Sequence, residues 1–383
     1  MKHRTQRWLN RFLFCGCVLL PSLVIAGTLI LRHTDTGQRW MLMWWTDAFA
    51  QATASQVEIG RVHFVGPDRY VFENVRLSDR ETGRHIIQCD HVALNRINAQ
   101  WELVIHTADT PYPDLYGWMQ WWNGHVLSQK EGLETHIRID KLSLGDPQKR
   151  QLQNFNAQVM PGSDVTELLV NFGGDVKEPI ALRVRRRHIY PVQTEIVLKT
   201  NAQRLPINVL GDLLEFDFQF GKVATFSGEA VVQISSQPAD RVRKLTLKGE
   251  LNQVDLTQLL QNAQPPPMVG MVQVAVMHAE YDDGQWIRLE GRLQGEPGHV
   301  QRAWLPTVAR SLKLRWLGDL DQSSIPYESL CCEFIWSPEG ISIRGEKDGP
   351  NRGSILRHAQ GIILADDPEQ VIQTTAIQDV LLR

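Results

Sequence analysis

Apolar and polar residues alternate in short runs along most of this chain. Val57 and Ile59, then Val62 and Phe64, then Val71, Val75 and Leu77, then Ile87, Val92 and Leu94 stand between polar neighbours. Successive side chains of a strand point to opposite faces, so this period marks half-buried strands. Gly66-Pro67-Asp68 and Thr82-Gly83 separate the runs. Further strands are predicted at His136–Leu144, Leu152–Val159, Glu167–Phe172, Ile180–Arg187 and Gln193–Thr200. Another series covers Val223–Ile234, Val242–Leu251, Val269–His278 and Trp286–Leu293. Asp282-Asp283-Gly284-Gln285 reads as a hairpin turn, because glycine tolerates the positive φ that such turns need. Pro338-Glu339-Gly340 reads as another, between Leu330–Trp336 and Ile341–Arg344.

Helical spacing is rarer. Gly37–Ser55 has no proline and reads as helix. Asp114–Val126 places Leu115, Met119 and Trp122 on one helical face, which suits either a core-packing helix or a second membrane-touching element. Short helices are predicted at Asp255–Asn262 and His299–Arg310. About fifteen strands with so few helices disfavour a doubly wound α/β sheet and predict a mainly β, antiparallel fold. Pro265-Pro266-Pro267 is the clearest linker and Pro206 a weaker boundary.

The N-terminus breaks the strand pattern. Lys2, Arg4, Arg7 and Arg11 precede an uncharged run from Phe12 to Leu31, which Arg32 ends. Such a run, about 20 residues at ~1.5 Å each, crosses a hydrocarbon core of ~30 Å. The basic flank predicts a cytoplasmic tail (residues 1–11), a single-pass transmembrane helix (12–31) and an exported bulk. A cleaved signal peptide is the rival reading, since Val24-Ile25-Ala26 resembles a cleavage site, although the apolar run continues past it. Residues 32–55 form the helical juxtamembrane segment. Its Trp40, Met41, Met43, Trp44 and Trp45 suit either packing on the exported domain or an interfacial collar at the headgroup layer. Residues 56–264 and 268–383 then form two β-rich parts.

Composition adds mainly exclusions. The chain has 383 residues, 43% hydrophobic and 22% charged, which is globular rather than disordered. A formal net charge of −3 gives no basic field for nucleic acid. Two of the five cysteines, Cys15 and Cys17, fall in the apolar run, so Cys89, Cys331 and Cys332 build no disulfide framework. His85, Cys89 and His91 are the nearest approach to a metal cluster, on one face of a predicted strand, and the plainer reading makes Cys89 a core position. Arg183, Arg185, Arg186 and Arg187 form a basic strand, suited to anionic headgroups or, more simply, to a solvated sheet face. Asp282 and Asp283 are explained by their turn. No nucleotide-binding, zinc-protease or serine-hydrolase motif occurs. No catalytic, cofactor-binding or metal residues are therefore predicted, and no cofactor.

The stretch Val57–Ile97 carries "F-E-N-V-R-L-S-D", then "T-G", then "I-I-Q-C-D-H-V-A-L". With Asn74-Val75, Leu77 and Asp79 as its marks, it resembles the N-terminal pattern of AsmA-like proteins, the superfamily that includes TamB. Val274–Gly298 is similar to the C-terminal repeat of that superfamily, and Leu330–Leu364 continues the style. Residues 100–215 carry no such match. The resemblance implies a long antiparallel sheet curled into a groove, tethered in the inner membrane with its bulk in the periplasm. It implies a non-catalytic role in lipid handling or envelope assembly, with lipid in the groove and envelope proteins as partners. Fifteen strands at ~4.8 Å extend on the order of 70 Å, too short to bridge two membranes alone. A structural or interaction module of the envelope is the alternative reading, and an exported hydrolase a more distant one.

Overall fold

This computed structural model describes residues 34–66, 68–97, 100–130, 134–145, 150–173, 178–210, 220–221, 223–235, 243–260, 266–282, 285–318, 321–347 and 351–367, with Ser22 alone before them. The predicted tail and, apart from Ser22, the predicted span lie outside the described residues. Among the described residues no helix is long and apolar enough to cross a membrane. The chain divides into two compact units.

The first unit comprises the residues up to Pro111 together with Thr135–Ser143. It opens with helix α1, Asp35–Thr53. Thr34 is the N-cap: its backbone is extended and its Oγ1 accepts a hydrogen bond from Gly37 N at 3.3 Å. That bond satisfies a donor that a helix start leaves without a partner. Strands β1 (Gln56–Gly66), β2 (Arg69–Ser78), β3 (His85–Ile97) and β4 (Gln100–Thr110) follow as an antiparallel meander. Asp79 organises the β2–β3 turn, its Oδ1 accepting from Glu81 N, Thr82 N and Thr82 Oγ1. β5 (Thr135–Leu144) meets β4 where His106 Nδ1 lies 3.2 Å from Asp140 Oδ2.

The alternation in this unit changes phase along one row of the sheet. Val57 and Ile59 are buried, but the next apolar positions are Val62 and Phe64. Val75 and Leu77 are buried with Phe72, and Cys89 with Val92. The three changes fall at Gly60, Asn74 and Asp90, where Asn74 holds a left-handed φ of 54°. Asparagine tolerates that conformation better than most side chains. Beyond the change α1 covers the apolar residues. Trp45 packs on Tyr70 at 4.8 Å and Phe72 at 5.3 Å between ring centroids, and Phe49 packs on Phe72 at 5.2 Å. Trp45 is only 7% exposed. Its burial stabilises this contact by on the order of 4 kcal/mol.

The second unit comprises Tyr112–Glu134 and the residues from Leu144 on. Helix α2 (Leu115–Trp121) runs into one π-helical turn, Trp122–Val126. Strands β6 (Arg150–Met160), β7 (Val165–Phe172), β8 (Ile180–Arg187) and β9 (Gln193–Lys199) pair in sequence. After the short β10 (Leu205–Pro206) and α3 (Ile207–Leu210), β11 (Thr225–Ser235) pairs with β9, and β12 (Arg243–Asp255) pairs with β11. Helix α4 (Leu256–Leu259) and β13 (Met268–Val269) lead to β14 (Met271–Asp282) and β15 (Gln285–Gly295). The pairs β12–β14 and β14–β15 extend the same ladder, and Asp282 faces Gln285 across the predicted turn.

The last part adds β16 (Gly298–Gln301), a 3-10 turn (Arg302–Trp304), α5 (Leu305–Ser311), β17 (Arg315–Trp316) and β18 (Ser324–Tyr327). It closes with β19 (Ser329–Ser337), β20 (Gly340–Arg344), β21 (Ser354–His358) and β22 (Gly361–Ala365). β19 pairs with β15 on one side, and on its other side with β20 at one end and β21 at the other. β13, β16 and β18 form a separate three-stranded sheet.

Every pairing described is antiparallel, and the fold is mainly β with a few short helices, as the alternation predicts. The groove-like curl is corrected: no sheet is strongly curled. Sheets bend where bulges insert residues. The ladders from β6 to β12 run without a register shift, and the shifts of the second unit's main ladder gather in the two pairings of β14.

Candidate functional site

The second unit carries one continuous apolar row. Reading partner to partner across ten strands, it runs Ala157, Val170, Leu182, Leu198, Ala230, Leu247, Ala279, Leu289, Trp336, Ile341. A parallel row runs Val159, Leu168, Val184, Ile196, Val232, Leu245, Tyr281, Trp286. A third, shorter row joins Phe226, Leu251, Val274, Leu293 and Cys332. Period-two alternation and unshifted pairing keep the rows on one face from β6 to β12, and the bulges in the two pairings of β14 carry the same face on through the change of phase between Val274 and Ala279 and between Trp286 and Leu289.

The opposite face is polar. Arg183 Nε lies 3.0 Å from Glu167 Oε1, and Arg185 Nε lies 3.9 Å from its Oε2. Lys199 pairs with Glu229 at 3.1 Å, Lys244 with Asp282 at 2.9 Å and Arg288 with Glu290 at 2.8 Å. Arg183, Arg185 and Arg187 thus lie on a solvated sheet face, with Arg183 and Arg185 sharing one carboxylate, whereas Arg186 points to the other face. Asp282 is engaged by Lys244, and Asp283 lies outside the described residues.

Different elements cover the two ends of the apolar face. Over β6 and β7, Trp118 of α2 packs on Phe155 at 5.3 Å, and Phe155 stacks on Phe172 at 6.4 Å. Leu115, Met119 and Trp122 are buried, so this helix packs in the core of its unit. Asn123 Oδ1 accepts from Arg186 Nη1 at 2.9 Å and Thr194 Oγ1 at 3.1 Å, capping the row's polar end. Burial moves the Arg186 guanidinium below its ordinary pKa. At the far end Leu312, just past α5, joins Phe334, Trp336 and Ile343 around the buried Ile341.

Between these covers the face opens. Tyr281, Trp286, Leu289, Leu293 and Cys332 are only half-buried, whereas their row partners from β6 to β12 are buried. Tyr281 and Trp286 meet edge-on at 5.3 Å. Gly291 lies between Leu289 and Leu293 on the same face. A methyl group there would come within 2.8 Å of Phe334 Cζ, so the ring lies directly over the glycine backbone. Burial of its sulfur pushes the Cys332 thiol up to about 12, so this side chain is uncharged at neutral pH. A half-exposed apolar floor of this kind leaves apolar side chains partly in contact with water, which solvates them poorly.

The histidine–cysteine cluster of β3 does not form one face. Cys89 is buried against Val75, while the adjacent Asp90 and His91 are both exposed, because the alternation changes phase there. Burial pushes the Cys89 thiol up to about 12, which disfavours the thiolate that binds metal. Among the described residues no three His, Cys, Asp or Glu side chains could hold a metal ion together. The open patch was not singled out by sequence. Its signal was the set of apolar positions from Trp286 to Leu293, which marks a strand but does not reveal what covers it.

No family model, no curated protein and no solved structure matches this chain.

Proposed function

We propose that this chain is a membrane-anchored, exported protein whose one-sided apolar sheet receives the hydrocarbon part of lipids, without catalysis, in lipid handling or envelope assembly. One observation carries the reading: the apolar row from Ala157 to Ile341 passes from buried to half-exposed at Leu289 without a polar interruption. The AsmA-like pattern around Asn74-Val75 and the uncharged run Phe12–Leu31 point the same way. The reading rests on an open apolar face rather than on a deep curl. The full chain, extracted in mild detergent, should carry phospholipid detectable by mass spectrometry. Leu289→Asp and Leu293→Asp should strip that lipid while the circular dichroism of the sheet persists. A chain that carries no lipid, or that keeps it in both variants, would favour a structural module of the envelope.

A further inference from the structure

The outer face of α1 changes character along its length. Trp40 is 68% exposed, Met43 66% and Trp44 53%. Spacings of three and four place them on one helical face. Asp47, one turn further along that face, and Gln51 beyond it are exposed and polar. Trp45 and Phe49 lie on the opposite face, against Phe72. The tryptophan-rich segment thus does two jobs with different residues: Trp45 fastens the helix to its unit, and Trp40, Met43 and Trp44 face outward.

The cap at Thr34 fixes how this face relates to the run before it. An extended N-cap marks where α1 begins. Thr34 follows Leu31, the last residue of the uncharged run, by three residues, which is at most about 11 Å of chain. The apolar end of α1 is therefore the end next to that run, and its polar end is the distant one. Trp40 also stands beside the exposed Arg39, which suits a phosphate-bearing surface. A soluble protein partner would give no reason for this gradient.

We infer that the outer face of α1 docks obliquely on the headgroup layer of the bilayer, with Trp40, Met43 and Trp44 as an interfacial foot and Asp47 and Gln51 rising clear of it. Indole rings partition to that layer because it offers both apolar contact and hydrogen-bond acceptors. The inference rests on the anchored reading above, and the experiment separates the two. The full chain is reconstituted in phosphatidylcholine vesicles whose acyl chains are brominated near the headgroup, and lipid quenching of tryptophan emission is measured. In a Trp8→Phe background, which removes the indole four residues before the uncharged run, Trp40→Phe/Trp44→Phe should lose most of the quenchable emission, whereas Trp101→Phe should keep it. Quenching that persists in the double variant overturns the foot. Alkaline carbonate extraction reads the anchor alone: a chain released into the supernatant overturns the anchored reading and the foot with it, while a chain retained in the pellet but not quenched at Trp40 and Trp44 overturns only the foot.

Discussion

Gly228 of β11 and Gly249 of β12 face each other directly across the sheet, both at a φ of +153°. A methyl group on Gly228 would press on the Lys248 carbonyl oxygen and lie 2.5 Å from the Gly249 Cα. The reverse substitution would press on the Ser227 carbonyl oxygen and lie 2.7 Å from the Gly228 Cα. Thr200 ties the pair to β9: Gly228 N donates to Thr200 Oγ1 at 2.7 Å, and Thr200 N donates to Gly228 O at 2.9 Å. The close approach lies between the Phe226–Leu251 and Ala230–Leu247 pairs of the apolar rows. Gly228→Ala and Gly249→Ala should each destabilise the second unit by about 1–3 kcal/mol. A shift of the denaturant midpoint measures this, and an unshifted midpoint in both variants would remove the glycines' structural role.

The two faces of the second unit should respond unequally to truncation. Leu198 is fully buried in the middle of the longest row. Leu198→Ala should cost about 2–5 kcal/mol, from lost transfer energy and the cavity left behind. Arg183 lies on the polar face of neighbouring β8, paired with Glu167 but solvated. Arg183→Gln should cost less than about 1 kcal/mol. Equal losses in thermal melts of the two variants would contradict a one-sided sheet.

Acid should weaken the corner where β7 meets the loop after β8. Thr166 is fully buried, and its Oγ1 donates to Gln129 O at 3.0 Å and lies 2.8 Å from His188 Nε2. A hydroxyl that donates once must accept the second bond, so His188 Nε2 carries the proton there. Burial lowers the His188 pKa below its ordinary 6.5, with Lys130 and Arg186 adding to the effect and Asp164 opposing it. A group with a depressed folded pKa binds its proton more readily when unfolded. Stability is therefore complete above about pH 6.5 and falls as pH drops from there toward the folded value. His85 is lowered in the same sense, first by burial and then by Arg76. His188→Gln should flatten part of this acid slope in unfolding measured from pH 7 downward. A slope identical to wild type would assign it elsewhere.

Strand positions were legible because alternation is a local signal. Ile180–Arg187 and Gln193–Thr200 emerge as β8 and β9 nearly residue for residue, and Asp114–Val126 emerges as α2 with its π-helical turn. The phase change at Gly60, Asn74 and Asp90 was visible only as a shift from Val57 and Ile59 to Val62 and Phe64. Its cause is a left-handed backbone at Asn74, which periodicity cannot register. Partner choice was not legible either. That β9 continues into β11 past β10 and α3, and that β19 divides its outer side between β20 and β21, depends on chain returns over many residues. The apolar patch was hidden for a related reason: Leu289 and Leu198 have the same sequence signature, and only tertiary cover distinguishes them. Trp45 and Trp44 are adjacent in sequence, yet one is core and the other surface, and a quarter-turn of helix decides it.

The divided outer side of β19 sets a limit on polymerisation. A long straight margin of unpaired amides and carbonyls invites another copy to add a strand. Here Glu333–Ser337 is taken by β20 and Ser329–Leu330 by β21, two strands of five residues each that are offset from one another. An incoming strand meets a stepped margin and finds no more than one short register before the direction breaks. The ladder that lays out ten strands of apolar row thus ends on this side in a step, with β21 covered in turn by β22, rather than in a straight margin.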